Sequence, residues 1–223
     1  MQLPSPISLS SSKDLSNQHF FSEQANWLIP NHVLVGEAPI EPSHRHAIRH
    51  VAKCTIQVCL QAEAVFPLSS VVEYESLGGY RDIPEVPVMP QDVDLMQKSD
   101  ENDTAKDLLE KIFHYGIRDM DVAASLSSLE ELVQRLVKEM ENGEVLYIHC
   151  KAGKGRTGLI AACLLIVCYP TMQAEEALKR VSAYCAVREI EDREECMYLS
   201  PETEEQRQQV IDFEKWISSK RSA

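Results

Sequence analysis

Residues 144–169 constrain this chain most. There the run EVLYIH meets the glycine-rich segment HCKAGKGRTG, His149 to Gly158, and an apolar run from Leu159 to Tyr169 follows at once. The first run is short and rich in strand formers, so it predicts a strand. The second is about half of what a bilayer span needs, so it predicts a buried helix. A strand feeding a helix through a tight loop is the repeating unit of α/β layering. Backbone N–H groups in such a loop converge with the helix N-terminus on one spot, which attracts an anion.

The rest of the chain extends this pattern. Val33-Leu34-Val35 before Gly36 reads as a short strand, Ser43 to Lys53 as a helix capped by Ser43, and Thr55 to Leu60 (TIQVCL) as a buried strand. Three prolines, Pro84, Pro87 and Pro90, and the polar run at 98–107 predict a surface loop over 82–104. KIFHYGI, Lys111 to Ile117, predicts a strand. Ser125 to Asn142 fits an amphipathic helix with Leu129, Leu132, Leu136 and Met140 on one face and Gly143 as its stop. Helices are expected over Thr157 to Cys168, Thr171 to Cys185 and Glu202 to Ser218. The fold class is therefore α/β, a three-layer domain whose central, mostly parallel sheet is flanked by helices. Residues 1–25, serine-rich and without periodicity, are expected as a flexible arm, and 26–223 as a single domain.

Composition narrows the function. The formal charge of −13 disfavours nucleic acid and anionic membrane as partners. No apolar run reaches the roughly eighteen residues of a membrane span, and the N-terminus lacks the basic start and apolar core of a secretion signal. Seven cysteines without a CxxC pair fit a reducing compartment better than a disulfide scaffold or zinc site. A cytoplasmic monomer is expected.

Chemistry concentrates in the loop. Arg156 follows Cys150 by six residues and presents a planar fork that matches two phosphate oxygens. A helix N-terminus and nearby cations favour a thiolate, which makes Cys150 a nucleophile. Thr157 can hydrogen-bond the sulfur and help it leave. The backbone of Lys151, Ala152, Gly153, Lys154 and Gly155 would hold the phosphate. A nucleotide-binding loop needs GxxxxGK[ST], which this segment does not satisfy.

Cys150-Lys-Ala-Gly-Lys-Gly-Arg156-Thr157 resembles the signature of the cysteine-based protein tyrosine and dual-specificity phosphatases, and within them most resembles the phosphatase-and-tensin-homologue branch, through Lys151 and Lys154. The resemblance implies a dual-specificity-phosphatase-like fold and hydrolysis of phosphate monoesters through a cysteinyl-phosphate intermediate, with no metal or cofactor. It implies a general-acid aspartate about thirty residues before the cysteine. Asp119 is 31 residues upstream and Asp121 is 29. Asp119, just past the strand end, is the first choice, with Asp121 open as a capping residue or the acid itself. An acid must be protonated to donate, so the rate should fall at high pH. His149 would support the loop backbone rather than transfer protons. By the same resemblance Gln206 helps to place the hydrolytic water, and Cys59 can pair with Cys150 under oxidation. The two loop lysines suit a substrate richer in negative charge than one phosphotyrosine. A phosphorylated protein, an inositol phosphate and a phosphoinositide all remain open as substrates. The competing reading is a catalytically inactive phosphate-binding module.

Overall fold

The computed structural model describes residues 2–64, 73–79, 111–188 and 200–221. Within them, β1 (Ala25–Ile29), β2 (Val33–Gly36), β3 (Ile56–Gln61), β4 (Glu73–Gly79), β5 (Lys111–Ile117) and β6 (Leu146–His149) form one sheet. Its order is β1-β2-β6-β3-β5-β4. β1 runs antiparallel to β2, and the remaining neighbours pair in parallel. Every residue of β3 and β6 is buried, as in strands covered on both faces.

Alternation along the strands builds the layers. Val33 and Val35 of β2, with Leu146 and Ile148 of β6, face the main core. There they meet α3 (Leu126–Glu141), α4 (Gly155–Cys168), α5 (Ala174–Ala186) and α6 (Glu204–Arg221). Leu34 and Tyr147 point the other way and pack with Ile48 and Ala52. Those two belong to the segment that begins as α2 (Pro42–His46) and continues as a π-type turn over Ala47–Val51. The result is the expected three-layer α/β arrangement. α4 is buried almost all round, because it is apolar all round and sits in the middle of the helical layer.

α3 matches its expected bounds: the Ser125 side chain accepts the Ser128 N–H, and Gly143 leaves the helix at φ +91°. Elsewhere the structure departs from expectation. α4 starts at Gly155 rather than Thr157, which places Arg156 and Thr157 in its first turn. The N-cap of α2 is Glu41, not Ser43, because Pro42 takes the first helical position, where its missing N–H costs nothing. Within the arm expected to be flexible, α1 (Ser12–His19) is helical and buries Leu15 and His19. The His19 ring stacks on Tyr184 at 3.6 Å and its Nδ1 lies 2.7 Å from the Trp27 carbonyl. β1 and β4 had no strong pattern in the sequence. The loop expected over 82–104 lies outside the described residues.

The parallel strands β2, β6, β3 and β5 end at one edge of the sheet. Gly36, His149 and Cys59 occupy the same rank across β2, β6 and β3, and His114 of β5 continues it. Whatever follows these strands is gathered into one place, the edge where ligands bind in open α/β sheets.

Candidate active site

Cys150 is the first residue past β6 and is buried at the mouth of the loop. The loop turns at Gly153, where φ is +67° and a Cβ would overlap the Gly36 carbonyl. Only glycine suits both demands. Its flanks are tied down: the Ala38 N–H donates to the Lys151 carbonyl at 3.1 Å, and the Ser200 hydroxyl donates to the Lys154 carbonyl at 2.9 Å. Arg188 donates to the Gly153 carbonyl at 2.7 Å. Lys151 and Ala152 are exposed on the rim, Lys154 is half-buried, and Gly153 and Gly155 are buried. α4 then opens at Gly155 with no side-chain cap, so its first-turn N–H groups have no intrahelical acceptors and are available to an anion.

Arg156 is 1% exposed and is gripped from three sides. Nη1 donates to both Glu63 carboxylate oxygens at 3.0 and 2.8 Å and to the Ile117 carbonyl at 3.0 Å. Nη2 lies 2.9 Å from Asp119 Oδ1, close as an ion pair but not aligned as a hydrogen bond. Burial disfavours the Arg156 cation, but the Glu63 hydrogen bonds and the negative charges around it outweigh this, and its pKa stands above the ordinary value. Burial pushes the Glu63 carboxyl up, and the Arg156 contacts pull it net below its usual range. Glu63 was missed in the sequence. Its signal was positional: an acidic residue just past the carboxyl end of a central strand, where sites gather.

His149 is fully buried. Gln57 Nε2 donates to its Nε2 at 2.9 Å, so the ring proton sits on Nδ1, facing the Cys150 carbonyl at 3.4 Å. Burial pushes the imidazole down to about 3, so it is neutral at physiological pH. Thr157 Oγ1 is buried and has no hydrogen-bond partner among the described residues. Cys59 is free and fully buried opposite His149, one residue from Cys150 across the sheet. Burial pushes its thiol up to about 12.

The two aspartates differ in surroundings. Asp119 reaches Arg156, whereas Asp121 turns its carboxylate onto the Val122 N–H at 2.8 Å. Gln206 is fully buried beside Gly155, where an added Cβ would press on its amide. Its Oε1 accepts the Glu202 and Thr203 N–H groups at 3.2 Å, and its Nε2 donates to the Asp121 carbonyl at 2.9 Å. Both ends of the side chain are thus engaged with backbone.

Residues 97–210, just over half of the chain, match the family described as PTP-SAK, Swiss Army Knife protein, DSP-PTPase phosphatase domain. The chain belongs to this phosphatase family. The phosphatase domain is 37% identical over 76 residues to a protein of Invertebrate iridescent virus 6 named as a tyrosine phosphatase, 197R, covering 33% of the chain and 28% of that protein. It is 35% identical over 71 residues to protein tyrosine phosphatase domain-containing protein 1 of Danio rerio, covering 32% of the chain and 10% of that protein. The matched segments thus span less than a third of either relative. In fold, the domain is similar to PTPMT1, with a TM-score of 0.56 at 16% identity over 89% of this chain and 98% of that one. DUSP15 gives 0.55 at 13% identity over 88% and 90%. Tk-PTP in its active form gives 0.54 at 18% identity over 86% and 97%.

Proposed function

We propose that the chain hydrolyses phosphate monoesters with Cys150 as nucleophile, Arg156 as the phosphate-holding cation and Asp119 as proton donor. The observation that carries the reading is the convergence on Arg156. A buried guanidinium is fixed through Nη1 by Glu63 and the Ile117 carbonyl, which leaves Nη2 for a ligand, and the only carboxylate on Nη2 among the described residues is that of Asp119.

In the first step the phosphate oxygens take the Arg156 fork and the loop N–H groups, displacing the Asp119 carboxylate from Nη2, and the freed carboxylate takes up a proton from solvent. The Cys150 thiolate attacks phosphorus in line. The phosphorus–oxygen bond breaks, and Asp119 in its acid form gives its proton to the leaving oxygen. In the second step Asp119, now the carboxylate, takes a proton from water. The oxygen attacks phosphorus, the sulfur–phosphorus bond breaks, and inorganic phosphate leaves. The Thr157 hydroxyl, buried and without a partner among the described residues, donates to the departing sulfur. His149, neutral and locked by Gln57, holds the Cys150 carbonyl and takes no part in proton transfer. Gln206 supports the acid loop through the Asp121 carbonyl, and the water-placing role gains no contact in this arrangement. No step needs a metal, because Arg156 and the helix N-terminus supply the positive field.

For the substrate, the exposed Lys151 and half-buried Lys154 on the rim favour a phosphate group with further negative charge nearby. One structural neighbour, PTPMT1, is described in complex with PI(5)P, while the viral relative is named as a tyrosine phosphatase. Phosphate release from phosphotyrosine and phosphothreonine peptides, soluble inositol phosphates and short-chain phosphoinositides tests the class. Faster turnover of the polyanionic substrates, lost in Lys151→Ala, supports the lysine reading. Turnover of phosphopeptides alone contradicts it.

A further inference from the structure

The loop that carries Asp119 is held in place from an unexpected side. Its turn, Arg118 to Asp121, closes with the Asp121 N–H on the Arg118 carbonyl at 3.1 Å, and Met120 sits exposed with φ +61°. A long side chain in the left-handed region is unfavourable unless its surroundings over-determine it. Beside the Asp119 pair with Arg156, the surroundings that hold the segment just after it belong to α6. Gln209 clamps both backbone groups of Ala123: its Oε1 accepts the Ala123 N–H and its Nε2 donates to the Ala123 carbonyl, each at 2.8 Å. One turn earlier on the same face, Gln206 donates to the Asp121 carbonyl. The pair imitates two rungs of a strand ladder, with a helix supplying the side chains.

α6 is itself anchored. Val210, Phe213 and Ile217 are buried in the main core, and Trp216 Nε1 donates to Glu130 of α3 at 2.7 Å. The acid loop is therefore registered to the rigid helical layer rather than to the sheet it leaves.

We propose that Gln209 is a positioning residue for proton donation: its two-point clamp on Ala123 holds the turn that aims Asp119 at the leaving oxygen. Among the described residues Gln209 hydrogen-bonds to Ala123 and to neither Cys150 nor Arg156, and it has no part in the attack on phosphorus. This inference rests on the phosphatase reading above. Its signature is a dependence on the leaving group, because an oxygen that departs as a weakly basic anion needs no proton.

The test compares wild type with Gln209→Met, which keeps the length of the side chain and removes both hydrogen bonds, on phenyl phosphate and dinitrophenyl phosphate. Expected is a loss of about tenfold or more in kcat/KM for phenyl phosphate and little change for dinitrophenyl phosphate. In an Asp119→Asn background the same substitution should have no further effect on phenyl phosphate. Gln209→Lys, also without the acceptor, should repeat the pattern and guards against one poorly folded variant. Equal losses on both substrates, or none, with an active wild type overturn the positioning role. A wild type that releases phosphate from neither substrate overturns the phosphatase reading, and the inference with it.

Discussion

Glu63 grips Arg156 through both carboxylate oxygens while itself remaining 45% exposed, so the key cation of the loop is oriented from the solvent side. A fully exposed pair would contribute little, and a fully buried one would be costly to break. This pair lies between those limits. Glu63→Gln keeps one acceptor but loses the charge. It is expected to destabilise the fold by about 1–2 kcal/mol, read by urea unfolding, and to lower kcat/KM on an aryl phosphate about tenfold or more as the guanidinium loses its fixed plane. Wild-type kinetics in Glu63→Gln would show that Arg156 is held well enough without it.

The aspartates separate cleanly. Asp119→Asn removes the carboxyl that reaches Arg156 and should lower turnover of phenyl phosphate about 100-fold. Asp121→Asn retains an oxygen for the Val122 N–H and should stay within a few-fold of wild type. The reverse order would move the acid role to Asp121.

Two buried histidines make the fold sensitive to acid. Burial lowers His149 from 6.5 to about 3 and His44 from 6.5 to about 4. Both must stay neutral in the fold, while the unfolded chain takes up protons below its own pKa. Their contribution is therefore intact above pH 6.5 and is lost progressively as pH falls from there to the folded values, below which nothing remains of it. Between pH 7 and about pH 5 each should cost about 2 kcal/mol. Urea unfolding at the two pH values should show a loss smaller by about that amount in His149→Gln than in wild type. Equal losses would mean that His149 accepts a proton within the fold.

Two left-handed glycines should respond differently. At Gly143, φ is +91° and no atom lies within 4 Å of an added Cβ, so Gly143→Ala should cost about 1–2 kcal/mol of stability and leave activity unchanged. At Gly153 the Cβ would also collide with the backbone of Gly36 and Glu37, so Gly153→Ala should displace the loop and abolish phosphate release. Activity retained in Gly153→Ala would show that the loop tolerates the shift.

The sequence was most legible where one local rule dominated. The bounds of α3 followed from Ser125, the apolar face and Gly143. β5 followed from a strand-forming run, and the loop at Cys150 from its glycines between a strand and an apolar helix. β1 and α1 were not legible, because their order comes from contacts with residues far along the chain, such as His19 on Tyr184. The same holds at the site. Cys150, Arg156 and Thr157 share one segment and announce one another, whereas Glu63, Gln57, Arg188 and Gln209 reach it only through the fold. No spacing rule connects Gln209 with Ala123, 86 residues before it.

A cysteinyl-phosphate on Cys150 can be trapped. Wild-type protein mixed with an aryl phosphate, quenched rapidly and digested, is expected to carry one phosphoryl group on the peptide that contains Cys150, and to release inorganic phosphate in steady state. Cys150→Ser should show neither. Phosphate release by Cys150→Ser at the wild-type rate, or a wild type no more active than that variant, would contradict the account and leave the loop as a phosphate-binding cradle without chemistry.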